Sequence, residues 1–243
     1  VPNTIAFRDR LHGVLGAGWE SCVDSAFHCR PQGTISLTAD GGRTWRVAAR
    51  TPRPVVAVGY DGTALIARYD DGENLRSNDG GRRWSPDVAP TPLTSPCPAG
   101  MLASVAGSWV LCTGEGGAGN MAKAVYRITS TGAHRVAYTP FSGRGGYGGI
   151  SSFGYPLGIA GEIRGGFGLI WESRGTLYVT RNGGHHWQGL PKLVRPDLDF
   201  GDSACVLPGG SGFALVSLGG SERRRLLETT DSGRTWRLVH RWR

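Results

Sequence analysis

The sequence predicts an all-β protein, a five-bladed β-propeller. Three observations carry the prediction. One eight-residue pattern, Ser/Thr-x-Asp/Asn-x-Gly-x-x-Trp, recurs at Thr38–Trp45, Ser77–Trp84, Thr180–Trp187 and Thr229–Trp236, with a faded copy at Ser130–Arg135. The closing positions 45, 84, 135, 187 and 236 step by 39, 51, 52 and 49 residues, as expected of one supersecondary unit built five times. Finally, 40 Gly and 14 Pro in 243 residues accompany short alternating runs, with no amphipathic helical stretch.

Each copy of the pattern reads as a turn between two strands. Asp40, Asp79, Asn182 and Asp231 are expected to accept N–H bonds from two residues on, as Asx turns do. Gly42, Gly81, Gly184 and Gly233 supply a positive φ without steric cost. Trp45, Trp84, Trp187 and Trp236 then open the outgoing strands and pack between neighbouring units, where each indole N–H needs an acceptor.

The predicted blades span about 1–50, 51–89, 90–139, 140–190 and 191–243 of a single domain, four strands in each. The second blade shows the logic. Val55–Gly59 is apolar throughout and suits an innermost strand buried on both faces. Asp61-Gly62 makes a hairpin turn, Ala64–Tyr69 alternates with period two, and Glu73–Asn78 leads into the repeated turn. A six-bladed form is the alternative should Phe141–Gly158 hold further strands.

The four repeated turns resemble the Asp-box, or BNR repeat, of β-propellers such as sialidases, the sortilin type, xyloglucanases and photosystem II assembly-factor-like proteins. The resemblance implies a turn between the third and fourth strands of a blade, away from the functional face. A sialidase would add an Arg-Ile-Pro motif near the first blade. The nearest fragment here is Arg53-Pro54, so no sialidase catalytic residue is carried over. Dense boxes without a catalytic signature are closest in character to the assembly-factor-like group, which implies a non-enzymatic binding scaffold.

The net charge is +8, and Lys123 and Lys192 are the only lysines, so the positive charge is almost all arginine. The basic residues are scattered rather than set in a stripe with exposed aromatics, which argues against nucleic-acid binding. No apolar run is long enough to span a membrane. Cys22 with Cys29, and Cys97 with Cys112, bracket short loops as candidate disulfides, leaving Cys205 as a small apolar thiol. Two disulfides suggest a secreted or cell-envelope exterior protein. No CxxC pair or HExxH motif is present, and His185-His186 falls in a turn, so neither metal nor cofactor is expected.

Function is expected on the face opposite the repeated turns, where the long loops fall: Trp19–Gln32, Asp70–Asn74, Pro90–Gly100, Gly114–Met121, Pro140–Pro156, Leu193–Asp202 and Gly219–Arg223. Trp19, Arg144, Tyr147 and Arg164 are the candidate ligand-binding residues. They suit an anionic or hydroxyl-rich ligand, by charge-assisted arginine contacts and aromatic stacking, or a protein surface. These loops also carry acids, among them Glu20, Asp24, Asp70, Asp71, Glu73, Glu115, Glu162, Glu172, Asp199 and Asp202. A glycoside hydrolase is therefore the alternative, with Asp71 and Glu162 as its candidate carboxylates. The favoured reading is a monomeric, non-catalytic scaffold that binds a glycan, peptide or protein.

Overall fold

The computed structural model describes residues 2–22, 29–69, 71–87, 97, 102–106, 109–162, 166–172, 176–191, 198–218 and 223–242. They form twenty strands in five four-stranded antiparallel sheets. The first sheet holds β1 (Pro2–Phe7), β2 (Gly13–Cys22), β3 (Cys29–Thr38) and β4 (Arg46–Thr51). The second holds β5 (Val55–Asp61), β6 (Ala64–Tyr69), β7 (Asn74–Ser77) and β8 (Ser85–Asp87). The third holds β9 (Leu102–Ala106), β10 (Trp109–Gly117), β11 (Asn120–Thr129) and β12 (Gly132–Thr139). The fourth holds β13 (Pro156–Gly161), β14 (Gly168–Glu172), β15 (Thr176–Thr180) and β16 (Trp187–Pro191). The fifth holds β17 (Leu198–Leu207), β18 (Ser211–Leu218), β19 (Arg224–Thr229) and β20 (Arg237–Trp242). Strands neighbour one another in chain order within every sheet. Residues 141–155 contribute two isolated bridges, Asn120–Phe153 and Tyr138–Tyr147, and no further sheet.

The chain falls into two compact units. One comprises residues 1–92, 222–226 and 238–243, the other residues 93–221 and 227–237. The first is centred on Val14, Ile35, Val55, Leu65, Ala67, Tyr69 and Leu75. In the second, Trp109 and Trp187 meet edge to face at 5.7 Å, with Leu111, Val125, Ile159 and Ile170 around them. A further second-unit cluster gathers Phe167, Leu169, Val179, Ala214 and Val216. In β5 Val55 is buried, Val56 exposed and Ala57 to Tyr60 half-buried, unlike the two-sided burial its composition predicts.

The repeated turn is the same hydrogen-bonded object four times. The hydroxyl that ends the third strand is buried at Thr38, Ser77, Thr180 and Thr229. It accepts the N–H of the turn glycine four residues on, at 2.9 Å for Gly42, 2.9 Å for Gly81, 3.0 Å for Gly184 and 2.9 Å for Gly233. It donates to the side-chain oxygen of Asp40, Asp79, Asn182 or Asp231 at 2.8 to 3.0 Å. That oxygen in turn accepts the N–H of Thr44, Arg83, His186 or Thr235, each at 2.9 Å. The acceptor thus reaches four residues along rather than the two expected of an Asx turn. The hydroxyl already occupies the near side of the oxygen, and two successive left-handed residues curl the chain over it. Those residues are Gly41-Gly42, Gly80-Gly81, Gly183-Gly184 and Ser232-Gly233, with φ between 57° and 90°.

The indole N–H groups divide two and two. Trp45 and Trp84 donate to the carbonyls of Gly42 and Gly81 at 3.0 and 3.2 Å. Those of Trp187 and Trp236 are buried without an acceptor among the described residues. In the faded copy the register is one residue earlier than the sequence suggests. Thr129 ends β11, and its hydroxyl meets that of Thr131 at 2.9 Å. Thr131 thus stands where the other turns have Asp or Asn.

Replacing Thr180 by Val keeps the shape but strands the Gly184 N–H in a buried site. The expected loss is about 1–3 kcal/mol, read from the urea midpoint at unchanged m-value. The hydroxyl and N–H of Thr44 hold the Asp40 carboxyl at about 2, and those of Thr235 hold Asp231 at about 2. Carboxyls depressed in the folded state stabilise it above their ordinary range and cease to do so as pH falls toward 2. Thermal melts between pH 5 and pH 2 should therefore show falling stability. The decline should be shallower in a variant carrying Asp40→Asn and Asp231→Asn, since the Asn182 turn keeps the Oδ1 relay without a titrating group.

Candidate functional site

Antiparallel meanders place the first-to-second and third-to-fourth turns at one end of a sheet. The second-to-third turn and the chain entry and exit lie at the other. In the second unit that other end is built by the β10–β11 hairpin tip, the segment 140–155 and the last residue of β14. The hairpin is tighter than the loop expected over Gly114–Met121, closing through Ala118 (φ 48°) and Gly119 (φ 89°). Segment 140–155 is laced onto it. Met121 N–H donates to Ser152 O and Gly154 N–H to Gly119 O, both at 2.8 Å, and Gly119 N–H donates to the Tyr155 hydroxyl at 3.1 Å.

One cation holds this assembly. Lys123 is buried, and its ammonium donates to Ser151 O at 2.8 Å, to Phe153 O at 2.9 Å and to Glu172 Oε1. A lysine at the start of β11 thus ties the loop to the end of β14. Burial pushes the Lys123 ammonium below its ordinary range, against the pull of Glu172. Burial likewise raises the Glu172 carboxyl, against the pull of Lys123. The neighbouring Tyr178 hydroxyl is raised by burial and by the Glu172 charge, and it accepts Ser151 N–H at 3.2 Å. Gly154 (φ 86°) permits the close approach: a Cβ there would lie 2.5 Å from Glu172 Oε2. Glu172, an acid expected to solvate a loop, is therefore the buried counter-ion of its anchor.

The anchored loop presents large apolar side chains to solvent: Phe141 is 43% exposed, Tyr147 44%, Phe153 47% and, at the start of β13, Leu157 50%. Phe141 lies against Gly117, and Phe153 is bridged to Asn120, so the two rings flank the bare hairpin tip. Residues 140–157 hold no acid and a single basic residue, Arg144. Exposed apolar side chains grouped on a fixed support mark an interaction surface.

The candidate ligand-binding residues fare unequally. Arg144 is exposed on this loop, and its guanidinium has no acidic partner among the described residues. The Tyr147 hydroxyl accepts Arg135 Nε–H at 2.8 Å, and the Arg135 guanidinium stacks on both Tyr138 and Tyr147. Trp19 lies opposite Gln32 within a long β2–β3 hairpin rather than in a loop, and its side chain is outside the described residues. Arg164 is outside them as well. Phe141, Phe153 and Leu157 were missed because single apolar residues among glycines carry no periodic signal. The glycine-interrupted aromatics of 141–155 were the sign available.

The candidate acids are not paired with each other. Asp71 belongs to the first unit, where Arg53 bridges it and Glu73 and stacks 4.3 Å from the Tyr69 ring centroid. Glu162 belongs to the second, in the β13–β14 turn at the end that carries the repeated turns. Its carboxylate accepts Gly210 N–H at 2.8 Å, and its backbone carbonyl accepts the Trp109 indole N–H at 3.0 Å. The placement of Glu162 among the loops of the opposite face is thus corrected, because its N–H donates to Phe167 O at 3.0 Å between the first and second strands of the sheet. No group of three or more His, Cys, Asp or Glu that could hold a metal occurs among the described residues.

Cys97 and Cys112 form a disulfide with Cα atoms 5.5 Å apart. Cys22 and Cys29 are directly opposed in the β2–β3 register, and their side chains lie outside the described residues. Cys205 is a half-buried thiol on β17.

No protein-family model matches the chain, and no curated protein matches it. Among solved structures it resembles YCF48 bound to D1 peptide, at 15% identity and a TM-score of 0.33, over 98% of this chain and 80% of that one. It also resembles YCF48 from Cyanidioschyzon merolae, at 17% and 0.34, over 98% and 84%. A third likeness is TolB from Acinetobacter baumannii, at 10% and 0.44, over 94% of this chain and 52% of that one.

Glu172→Gln leaves Lys123 charged and buried without its counter-ion, and should destabilise by about 3–5 kcal/mol. Replacing both Lys123 and Glu172 by Met should recover most of that loss. Hydrogen exchange at the Met121 and Gly154 amides should still be faster than in the parent, since the loop has lost its anchor. Full exchange protection in the double variant would show that the backbone bonds suffice without the lysine.

Proposed function

We propose that this chain is a closed five-bladed propeller of the Asp-box type that binds rather than catalyses, and that the loop end of the second unit is its binding surface. The observation that carries the reading is the loop 140–157 itself. It is pinned by a buried ion pair, yet turns Phe141, Phe153 and Leu157 outward. A rigid support with exposed apolar side chains lowers the ordering cost of association. The surface suits a peptide or protein segment with apolar side chains, and Arg144 offers a contact to an acidic group beside them. The repeated turns account structurally for the residues that recur, and the candidate acids are engaged locally rather than set across a sugar ring. The Cys97–Cys112 disulfide supports a protein of the secreted or envelope-exterior kind.

The test is a random-peptide display screen and a glycan array on the purified chain, each repeated with Phe141→Ser and Phe153→Ser combined. Peptide binding lost in that variant, at an unchanged melting temperature, is the expected result. Binding that survives both substitutions places the surface elsewhere. A panel of glycosides and phosphoesters completes the test. Turnover removed by Asp71→Asn or Glu162→Gln would replace this reading with the glycoside hydrolase.

A further inference from the structure

The repeated architecture makes one gap conspicuous. In the second unit, space beneath each repeated turn is filled by an aromatic side chain from the preceding sheet. Trp109, which opens β10, reaches the turn of the fourth sheet, where its ring lies 2.8 Å from a Cβ built on Gly184. Phe167, just before β14, reaches the turn of the fifth sheet, 3.5 Å from a Cβ built on Gly233. Both rings are buried.

In the first unit the register position of Phe167 is held by His12, whose ring is drawn to the Asp9 carboxylate instead. Leu37 and Leu65 lie beneath Gly81, and beside Gly80 of the second turn a cavity of about 160 Å³ is left between the first two sheets. Its apolar floor is Leu37 and Leu65, and its wall is Tyr60. Gly80 borders it, and a Cβ built there would meet no atom within 4 Å. Gly13 itself could not carry the filler, because a Cβ there would fall 2.6 Å from the Phe7 ring.

The rim is polar. Arg8, His12 and Thr63 line it, and the Arg8 guanidinium lies 5.9 Å from the Tyr60 ring centroid. Asp9 is the acid beside them, and its carboxylate is already engaged. Oδ1 accepts Leu11 N–H at 2.8 Å and His12 N–H at 2.9 Å, and both oxygens lie within 3.0 Å of His12 Nδ1. Arg8 Nε lies 3.5 Å from Asp9 Oδ2, which leaves the terminal nitrogens of the guanidinium for a second acceptor. The His12 ring is oriented by Asp9 through Nδ1, so Nε2 is the nitrogen left for a ligand.

We propose that this cavity is a binding site for a small planar aromatic carboxylate. The ring lies between Tyr60 and the two leucines, beside the second turn. The carboxylate meets Arg8 at the rim, with His12 and Thr63 beside it. Aromatic character follows from the Tyr60 wall and the leucine floor, and anionic character from the Arg8 fork, which matches a carboxylate in plane.

The probes are indole-3-acetate, benzoate and neutral indole, titrated into the full chain by saturation-transfer NMR and calorimetry. Indole-3-acetate should bind best, and neutral indole about tenfold more weakly. Arg8→Gln should remove that preference without abolishing indole binding. Thr63→Trp, which sets a ring at the exposed mouth, should block all three, with the melting temperature confirming a folded chain. Absence of saturation transfer from every probe would overturn the proposal. So would equal affinity for indole-3-acetate and indole in the parent, or binding unaffected by Thr63→Trp. A chain that fails the peptide screen above but passes here would separate this site from the loop surface.

Discussion

A single hydrogen bond, repeated, underlies the local order of this protein: a buried Thr or Ser hydroxyl accepting a glycine N–H four residues on. The turn needs two left-handed residues in succession, a conformation with exposed backbone and few intrinsic partners. Without the hydroxyl, the glycine N–H would be buried and unpaired. With it, one oxygen accepts from the backbone and donates to the acid, which then fixes the outgoing strand. The strand register follows from that relay, so Trp84, Trp187 and Trp236, at or just before the start of the outgoing strand, land on the cores. Ser232 shows how strongly the relay constrains the chain. It holds φ at 57° although it carries a Cβ.

A second kind of order appears where the repeats stop. The segment 140–155 has no ladder of its own, and five of its glycines have positive φ. Lys123 substitutes for a ladder. Its three donors take two loop carbonyls and one carboxylate, which a neutral side chain could not do. Buried pairs of this kind add little net stability but are costly to break. Here the pair serves geometry, since it fixes where Phe153 and its neighbours stand.

Much of the fold was legible in the sequence, because the repeated turn is chemically loud. Four of its eight positions are constrained, and its spacing sets the strands within a few residues. The β2–β3 and β10–β11 hairpins were read as loops because glycine, proline and polar residues mask pairing that continues past the alternating core: Cys22 with Cys29 and Gly117 with Asn120 are still in register. The faded turn was placed one residue late because Thr131 serves where an acid was sought. The candidate site was less legible. Lys123 and Glu172 lie in different sheets, 49 positions apart, and nothing local marks them as partners. Glu162 was assigned to the wrong end of its sheet because the turn it occupies was not counted as one.

Every sheet pairs strands that follow one another along the chain. Each pairing therefore closes only a short loop, and the entropic cost of closure grows slowly with length but must be met before contacts form. A chain organised in this way has low contact order for an all-β protein and is expected to fold quickly for its class. Nucleation can begin in any one sheet, independently of its neighbours. A nascent chain emerging from the ribosome could therefore complete its hairpins one after another, without waiting for distant sequence to be made.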